Sequence, residues 1–171
     1  MSSASKHSGL VYLWLSVLIV IVDQLTKYLV VRYIDYDPLG IEILPFFNIA
    51  HVYNTGAAFS FLANMGGWQR WFFMGIAVLI TGVLLWILYK TPSYKRYSCM
   101  ALALVIGGAI GNFIDRAVHG YVIDFLLFYL KTEDNFWAYP TFNVADIGVS
   151  VGATLLILIG LFSRDDKDKQ A

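Results

Sequence analysis

Four long apolar stretches dominate this chain, and the segments between them carry most of its charged residues. A helix needs about 20 mainly apolar residues to cross about 30 Å of hydrocarbon. Because backbone polar groups in lipid must be hydrogen-bonded within the chain, we predict a transmembrane helix for each stretch. No small-residue cleavage site follows the first stretch, which we therefore interpret as a retained span. The four predicted spans are residues 9–31, 71–89, 97–114 and 144–162.

Two longer segments separate the predicted spans, at residues 34–67 and 121–141. The first alternates apolar and polar positions on either side of Pro45, which predicts short strands broken at that proline. The second, with "VIDFLLFYLKTEDNFWAY", is aromatic and amphipathic and suits a location on the membrane surface. Its part 126–139 leads towards the fourth span, so it is either a lid that moves with substrate or a static surface loop.

Composition and charge agree with a mainly α-helical membrane protein. The 171 residues are 58% hydrophobic and 14% charged, whereas a soluble domain is about 45–50% apolar and about 25% charged. The formal net charge of zero gives no indication of a nucleic-acid partner. The basic cluster "KTPSYKR" at 90–96 separates the second and third spans. By the positive-inside rule, this loop and both chain ends are predicted to be cytoplasmic, with the two longer segments outside.

Polar side chains gather at the predicted outer end of the third span. Gly108, Asn112 and Asp115 have i, i+4, i+7 spacing, so they share one helix face, with Arg116 beside it. The surrounding glycines also fit close packing between helices. Packing does not require the asparagine, the aspartate or the arginine, and ionisable groups at membrane depth are functional candidates.

Two more aspartates, Asp124 and Asp146, are predicted at the same depth. Asn143 and Asp146 have the spacing of a helix N-cap, which explains Asp146 equally well when it is considered alone. Two close carboxyl groups cannot both ionise easily, so one keeps a proton. The ionised group can then deprotonate a water while the protonated group donates to a substrate carbonyl. This chemistry would hydrolyse a peptide without a metal or a cofactor.

Other chemistries have less support in the sequence. His51 and His119 lack the spacing of a zinc site, and the single Cys99 excludes an internal disulfide or a cysteine cluster. Ser60 and Ser150 have no evident His and Asp partners, so the GxSxG spacing around Ser150, inside the fourth predicted span, does not indicate a serine nucleophile. Asp23 and Lys27 in "DQLTK" are four residues apart, which predicts a helix ion pair that supports the site.

Five motifs, in this order, resemble the lipoprotein signal peptidase family, also called signal peptidase II: "DQLTK", "NTGAAFS", "GGAIGNFIDR", "YVIDF" and "FNVAD". The resemblance implies one membrane-embedded peptidase domain over 1–171, with four transmembrane helices, a small extracytoplasmic β-sheet cradle and a mobile amphipathic surface helix. It also implies an aspartic endopeptidase of the bacterial cytoplasmic membrane. Such an enzyme removes the signal peptide of diacylglyceryl-modified prolipoproteins and leaves the lipidated cysteine at the new N-terminus.

The resemblance also implies roles for individual residues. Asp124 and Asp146 match the catalytic pair. The implied partners are lipid-modified prolipoproteins, membrane lipid and the cyclic peptide inhibitor globomycin, and we expect a monomer. The other expected site residues are Asn54, Gly108, Asn112 and Arg116 for substrate binding, and Asp23, Lys27, Asp115 and Asn143 as supporting residues.

Two other classes of protein stay open at this stage. Buried acids could form a proton or cation pathway, which predicts polar residues along the whole bundle, whereas "LITGVLLWIL" and "ATLLILIGLF" have almost none. A non-catalytic scaffold for lipidated peptides would keep its activity without Asp124 or Asp146. Cleavage of a lipidated prolipoprotein by the wild type and by Asp124→Asn separates these hypotheses.

Overall fold

The fold is that of a four-helix membrane bundle with a small β-sheet at one end, in a computed structural model that describes residues 7–56 and 67–168. A short 3-10 helix, Gly9–Tyr12, leads directly into the first long helix. All four long helices are apolar enough to cross a membrane, which confirms the four predicted helices. They are α1 (Leu13–Tyr33), α2 (Trp68–Lys90), α3 (Arg96–Val118) and α4 (Val144–Asp168).

Helix α3 is the centre of the bundle and contacts the other three long helices. Its small residues let the neighbouring backbones approach closely. A Cβ added at Gly107 would lie 2.9 Å from the Ser16 Cα of α1, and one at Gly108 would overlap the carbonyl oxygen of Ala145 in α4. The glycines of α3 therefore serve helix packing, as their spacing indicates.

The sheet has four antiparallel strands in the order β1-β2-β3-β4: β1 (Asp37–Leu44), β2 (Phe47–Asn54), β3 (Val122–Lys131) and β4 (Phe136–Ala138). Strands β1 and β2 form a hairpin that turns at Pro45, so the strands predicted on either side of this proline are confirmed. Pairing of β2 with β3 places Val52 opposite Asp124 and Asn54 opposite Val122. The sheet thereby joins two segments that are far apart in the sequence.

Segment 121–141 differs from the prediction of an amphipathic surface segment. It forms β3 and β4, and the parts of the chain that the structure describes contain no surface helix. From Leu127 to Leu130 the residues alternate between buried and exposed, which is the period of a strand. Leu127 and Tyr129 pack around Ala50 of β2. Pairing with β2 gives the backbone N–H and C=O groups of this segment their hydrogen-bond partners, so the segment joins the sheet. Whether 126–139 moves as a lid stays a prediction.

Candidate active site

Asp124 lies in β3 and is 3% exposed. Its Oδ1 accepts a hydrogen bond of 2.7 Å from the Asn143 side-chain amide. Its Oδ2 accepts one of 2.9 Å from the Asn54 side-chain amide. Because Asn54 is at the end of β2 and Asn143 immediately precedes α4, the sheet and the helix bundle together fix this carboxyl group.

Asp146 lies in the first turn of α4. Its Oδ1 accepts a hydrogen bond of 2.7 Å from the Asn112 side-chain amide of α3, and its Oδ2 accepts one of 3.2 Å from the Asn143 backbone N–H. In return, the Asp146 backbone N–H donates to Asn143 Oδ1 at 3.0 Å. This reciprocal pattern is a helix capping pair. Capping the helix is therefore one of the roles of Asp146.

Asn143 connects the two aspartates, because its fully buried side chain contacts Asp124 and caps Asp146. Both aspartates line one cavity of about 880 Å³, to which Asn54, Asn112 and Arg116 also contribute. The rest of its wall is largely apolar and includes Val52, Phe128, Phe142, Ile147 and Val151.

The environment of Asp124 favours its protonated form. Burial, and secondarily the negative charge of Asp146, raise the pKa of Asp124 from 3.8 to about 7. The hydrogen bonds from Asn54 and Asn143 and the positive charge of Lys27 act in the opposite direction, with less effect. A carboxyl group with this pKa can hold a proton at neutral pH and exchange it with a substrate.

Arg116 lines the cavity from the last turn of α3. Its Nη2 donates to the Gly56 carbonyl at 2.8 Å, and its guanidinium lies over the Phe73 ring at 5.3 Å. Asn54 Oδ1 accepts from the Gly56 N–H at 3.0 Å. Arg116 and Asn54 thus hold the start of the chain segment that follows β2. The remainder of "NTGAAFS" lies outside the described residues.

Behind the cavity, α1 and α3 share a buried ion cluster. Lys27 Nζ lies 2.8 Å from Asp23 Oδ2 and 2.8 Å from Asp115 Oδ2. The predicted Asp23–Lys27 pair is therefore present, and Asp115 belongs to the same cluster. Gln24, to which the sequence analysis assigned no role, donates to Asp115 Oδ1 at 2.8 Å. The signal for Gln24 was its position beside Asp23 in an otherwise apolar span.

Gly108 does not lie where a substrate-binding residue was expected. It is buried against Ala145 and Val149 of α4 and is outside the cavity lining. Its i, i+4 relation to Asn112 put both residues on one helix face, but that face meets α4 near Gly108 and opens into the cavity near Asn112. Within residues 7–56 and 67–168, no group of three or more His, Cys, Asp or Glu side chains could hold a metal ion.

Four membrane-spanning helices, with two aspartates that line one cavity at their end, are the features of an integral-membrane hydrolase of the aspartic type. The family model described as signal peptidase (SPase) II matches residues 15–162. The chain belongs to the signal peptidase II family.

Curated relatives named lipoprotein signal peptidase are similar along nearly the whole chain. The protein of Alteromonas mediterranea is 48% identical over 165 residues, covering 96% of this chain and 87% of the relative. The protein of Aeromonas hydrophila is 47% identical over 168 residues, covering 98% of each. The protein of Pseudoalteromonas translucida is 44% identical over 171 residues and is covered completely.

Two solved structures have the same fold, and both are described as a bacterial membrane enzyme determined by the in meso method. The one at 2.3 Å resolution has a TM-score of 0.79 and 31% identity, covering 92% of this chain and 91% of that one. The one at 1.9 Å resolution has a TM-score of 0.74 and 32% identity, covering 88% and 92%. Together with the four apolar helices, this similarity establishes a multi-pass membrane protein.

Proposed function

We propose that the protein is the membrane aspartic endopeptidase that removes the signal peptide from diacylglyceryl-modified prolipoproteins, cleaving N-terminal to the lipidated cysteine. The observation that carries the proposal is the placement of Asp124 and Asp146 in one cavity, connected by Asn143. Membership of the signal peptidase II family supplies the substrate class. The proposal treats residues 1–171 as one peptidase domain.

In this proposal, Asp124 holds the proton and Asp146 is the ionised base. The raised pKa of Asp124 supports this assignment. Asp146 would take a proton from a water that attacks the scissile carbonyl carbon, while Asp124 donates a hydrogen bond to the carbonyl oxygen. The tetrahedral intermediate then breaks at the C–N bond. The proton that Asp146 gained passes to the leaving nitrogen, which becomes the free amine of the lipidated cysteine.

The cavity wall suits a substrate that is partly peptide and partly lipid. From Asp146 the lining continues along α4 through Ile147 to Val151, which, apart from Ser150, is an apolar surface on a membrane-spanning helix. We propose that the acyl chains lie along this surface while the peptide lies on the sheet side. Arg116 has donors that could bind peptide carbonyls or the lipid ester. Asn54 donates to Asp124 and so contributes by orienting the carboxyl group.

The location and partners extend the proposal. The enzyme lies in the bacterial cytoplasmic membrane as a monomer, with both ends in the cytoplasm and the cavity near the extracytoplasmic face. Globomycin binds in the cavity as an inhibitor. The basic loop between α2 and α3 supports this topology. Reporter fusions near Tyr94 should be cytoplasmic and fusions near Glu133 should be external. A cytoplasmic signal from Glu133 would contradict the proposal, because Asp124 would then be on the wrong side.

The test is cleavage of a purified diacylglyceryl prolipoprotein by the enzyme in detergent. The wild type should cleave, and Asp124→Asn and Asp146→Asn should each lower the rate by about 10²–10⁴ while remaining folded at the assay temperature. Glu133→Gln, in the exposed turn between β3 and β4, removes one carboxylate away from the cavity and should leave the rate unchanged. Near-normal cleavage by either asparagine variant would exclude that aspartate from the mechanism.

A further inference from the structure

Lys27 is buried among three charged and amide side chains that contact its ammonium group. It is 2% exposed, and its Nζ contacts Asp23 and Asp115 at 2.8 Å each. A third contact, of 3.1 Å, goes to the side-chain oxygen of Asn112. These contacts account for all three hydrogens of the ammonium. A buried ion cluster of this kind is not by itself evidence for stability, since well-packed apolar residues often do as well.

The third contact helps to determine which end of the Asn112 amide faces Asp146. An asparagine amide has an accepting oxygen at one end and a donating NH₂ group at the other. Because the oxygen of Asn112 accepts from Lys27, and also from the Asn143 side-chain amide at 3.2 Å, the NH₂ group points to Asp146 and donates to its Oδ1 at 2.7 Å. The opposite orientation would place NH₂ against ammonium and oxygen against carboxylate, and both contacts would be repulsive.

The same cluster also holds the backbone beside Asp146. Asp23 Oδ1 accepts a hydrogen bond of 2.8 Å from the backbone N–H of Ala145. Asp23 is also paired with Lys27. Helix α1 therefore contacts the backbone next to Asp146 through Asp23, and the side chain that donates to Asp146 through Lys27. No atom of Lys27 lines the cavity. Lys27 can therefore influence the reaction through Asn112 and the first turn of α4, or through its positive charge, which acts on Asp124 across space.

We infer that Lys27 is a positioning residue for the reaction, which acts through Asn112 by fixing the amide that donates to Asp146. The inference rests on the proposed function for its activity test. It assigns Lys27 a role in orienting the dyad, in addition to the support of the fold expected of a helix ion pair.

A double-mutant cycle on kcat tests the inference. Lys27→Met should lower kcat by about 10–100-fold with little change in KM. In an Asn112→Ala background, the same substitution should lower kcat by less than about threefold, because the residue through which it acts is absent. Equal losses of kcat in both backgrounds would overturn the inference. If Lys27→Met does not fold, the double variant Lys27→Met/Asp115→Asn takes its place in every measurement. The double variant removes one positive and one negative charge together.

Ser16→Ala is the matched control for loss of a polar contact between α1 and α3. Ser16 Oγ donates to the Ala103 carbonyl at 2.6 Å, and Ser16 is buried in the same helix as Lys27 but away from the cavity. This variant should lower the unfolding temperature and leave kcat unchanged. If Lys27→Met lowered the unfolding temperature and left the kcat of the folded enzyme unchanged, its role would be structural only.

An infrared measurement separates this inference from the proposed function. The carboxylate band of Asp146 is assigned in [4-¹³C]Asp-labelled protein from the difference between the infrared spectra of the wild type and Asp146→Asn. The band should shift in Lys27→Met and stay in place in Ser16→Ala. No cleavage by the wild type would contradict the proposed function alone. A band that does not move in Lys27→Met would overturn the positioning role, whatever the protein cleaves.

Discussion

Asp124 is expected to destabilise the folded protein as the pH rises, because its environment disfavours the charge. In the unfolded chain this carboxyl group ionises near 3.8, whereas in the folded protein its pKa is about 7. Between these values the folded state binds a proton that the unfolded state has lost, so the stability falls with increasing pH. The two pKa values differ by about three pH units, which corresponds to a loss of up to about 4 kcal/mol.

Asp124→Asn removes this titration and keeps the size of the side chain. One NH₂ group would then face a donor from Asn54 or Asn143, since both donate to Asp124 in the wild type. That penalty is about 1–3 kcal/mol and does not depend on pH. The informative quantity is therefore the difference in stability between the variant and the wild type as a function of pH.

The assay is thermal unfolding in detergent from pH 4 to pH 8, followed by tryptophan fluorescence. Relative to the wild type, the Tm of Asp124→Asn should rise with pH, by a total on the order of 10 °C. Glu133→Gln controls for the loss of an exposed carboxylate and should follow the wild type. A difference in Tm that is constant across the range would refute the reasoning, because Asp124 would then ionise equally easily in the folded and unfolded states.

Two further predictions concern the chemistry and the packing. Cleavage should continue in the presence of EDTA, since the proposed mechanism uses only two carboxyl groups and a water; loss of activity that added zinc restores would contradict the dyad. Gly108→Ala should lower the free energy of unfolding by at least about 1–3 kcal/mol, because its Cβ would overlap the Ala145 carbonyl. Gly82→Ala in α2 has no atom within 4 Å of the new Cβ and should not lower the stability, because alanine has the higher helix propensity. Equal effects of the two glycine substitutions would exclude close α3–α4 packing as the reason for Gly108.

The hydrophobic pattern was sufficient for the helices and for the first hairpin. A membrane-spanning helix needs only length and apolarity, and both are local properties of the sequence. Pro45 interrupts a strand locally because it has no N–H to donate, so the turn between β1 and β2 was also predictable. The polar residues near Asp115 stood out for the same reason, since charge inside an apolar stretch is visible without any structure.

Segment 121–141 could not be predicted in the same way. Its aromatic and charged residues fit a membrane surface segment, and the competing strand depends on pairing with β2, which is about 70 residues earlier. Gly108 and Asn112 illustrate a second limit. They share a helix face, yet α4 covers one of them and the cavity exposes the other, and the position of α4 follows from packing along the whole bundle.

The sequence by itself determined the four long helices, the first hairpin, the membrane class and the candidate carboxyl groups, because each depends on side-chain chemistry over a few turns of chain. Only the tertiary structure decided which groups meet. Asn143 joins Asp124 of a strand to Asp146 of a helix, and Lys27 reaches from α1 to Asn112 of α3. Such hydrogen bonds form only within about 3 Å and in one orientation. Residues separated by tens of positions attain that precision only when the helices and the sheet are packed together.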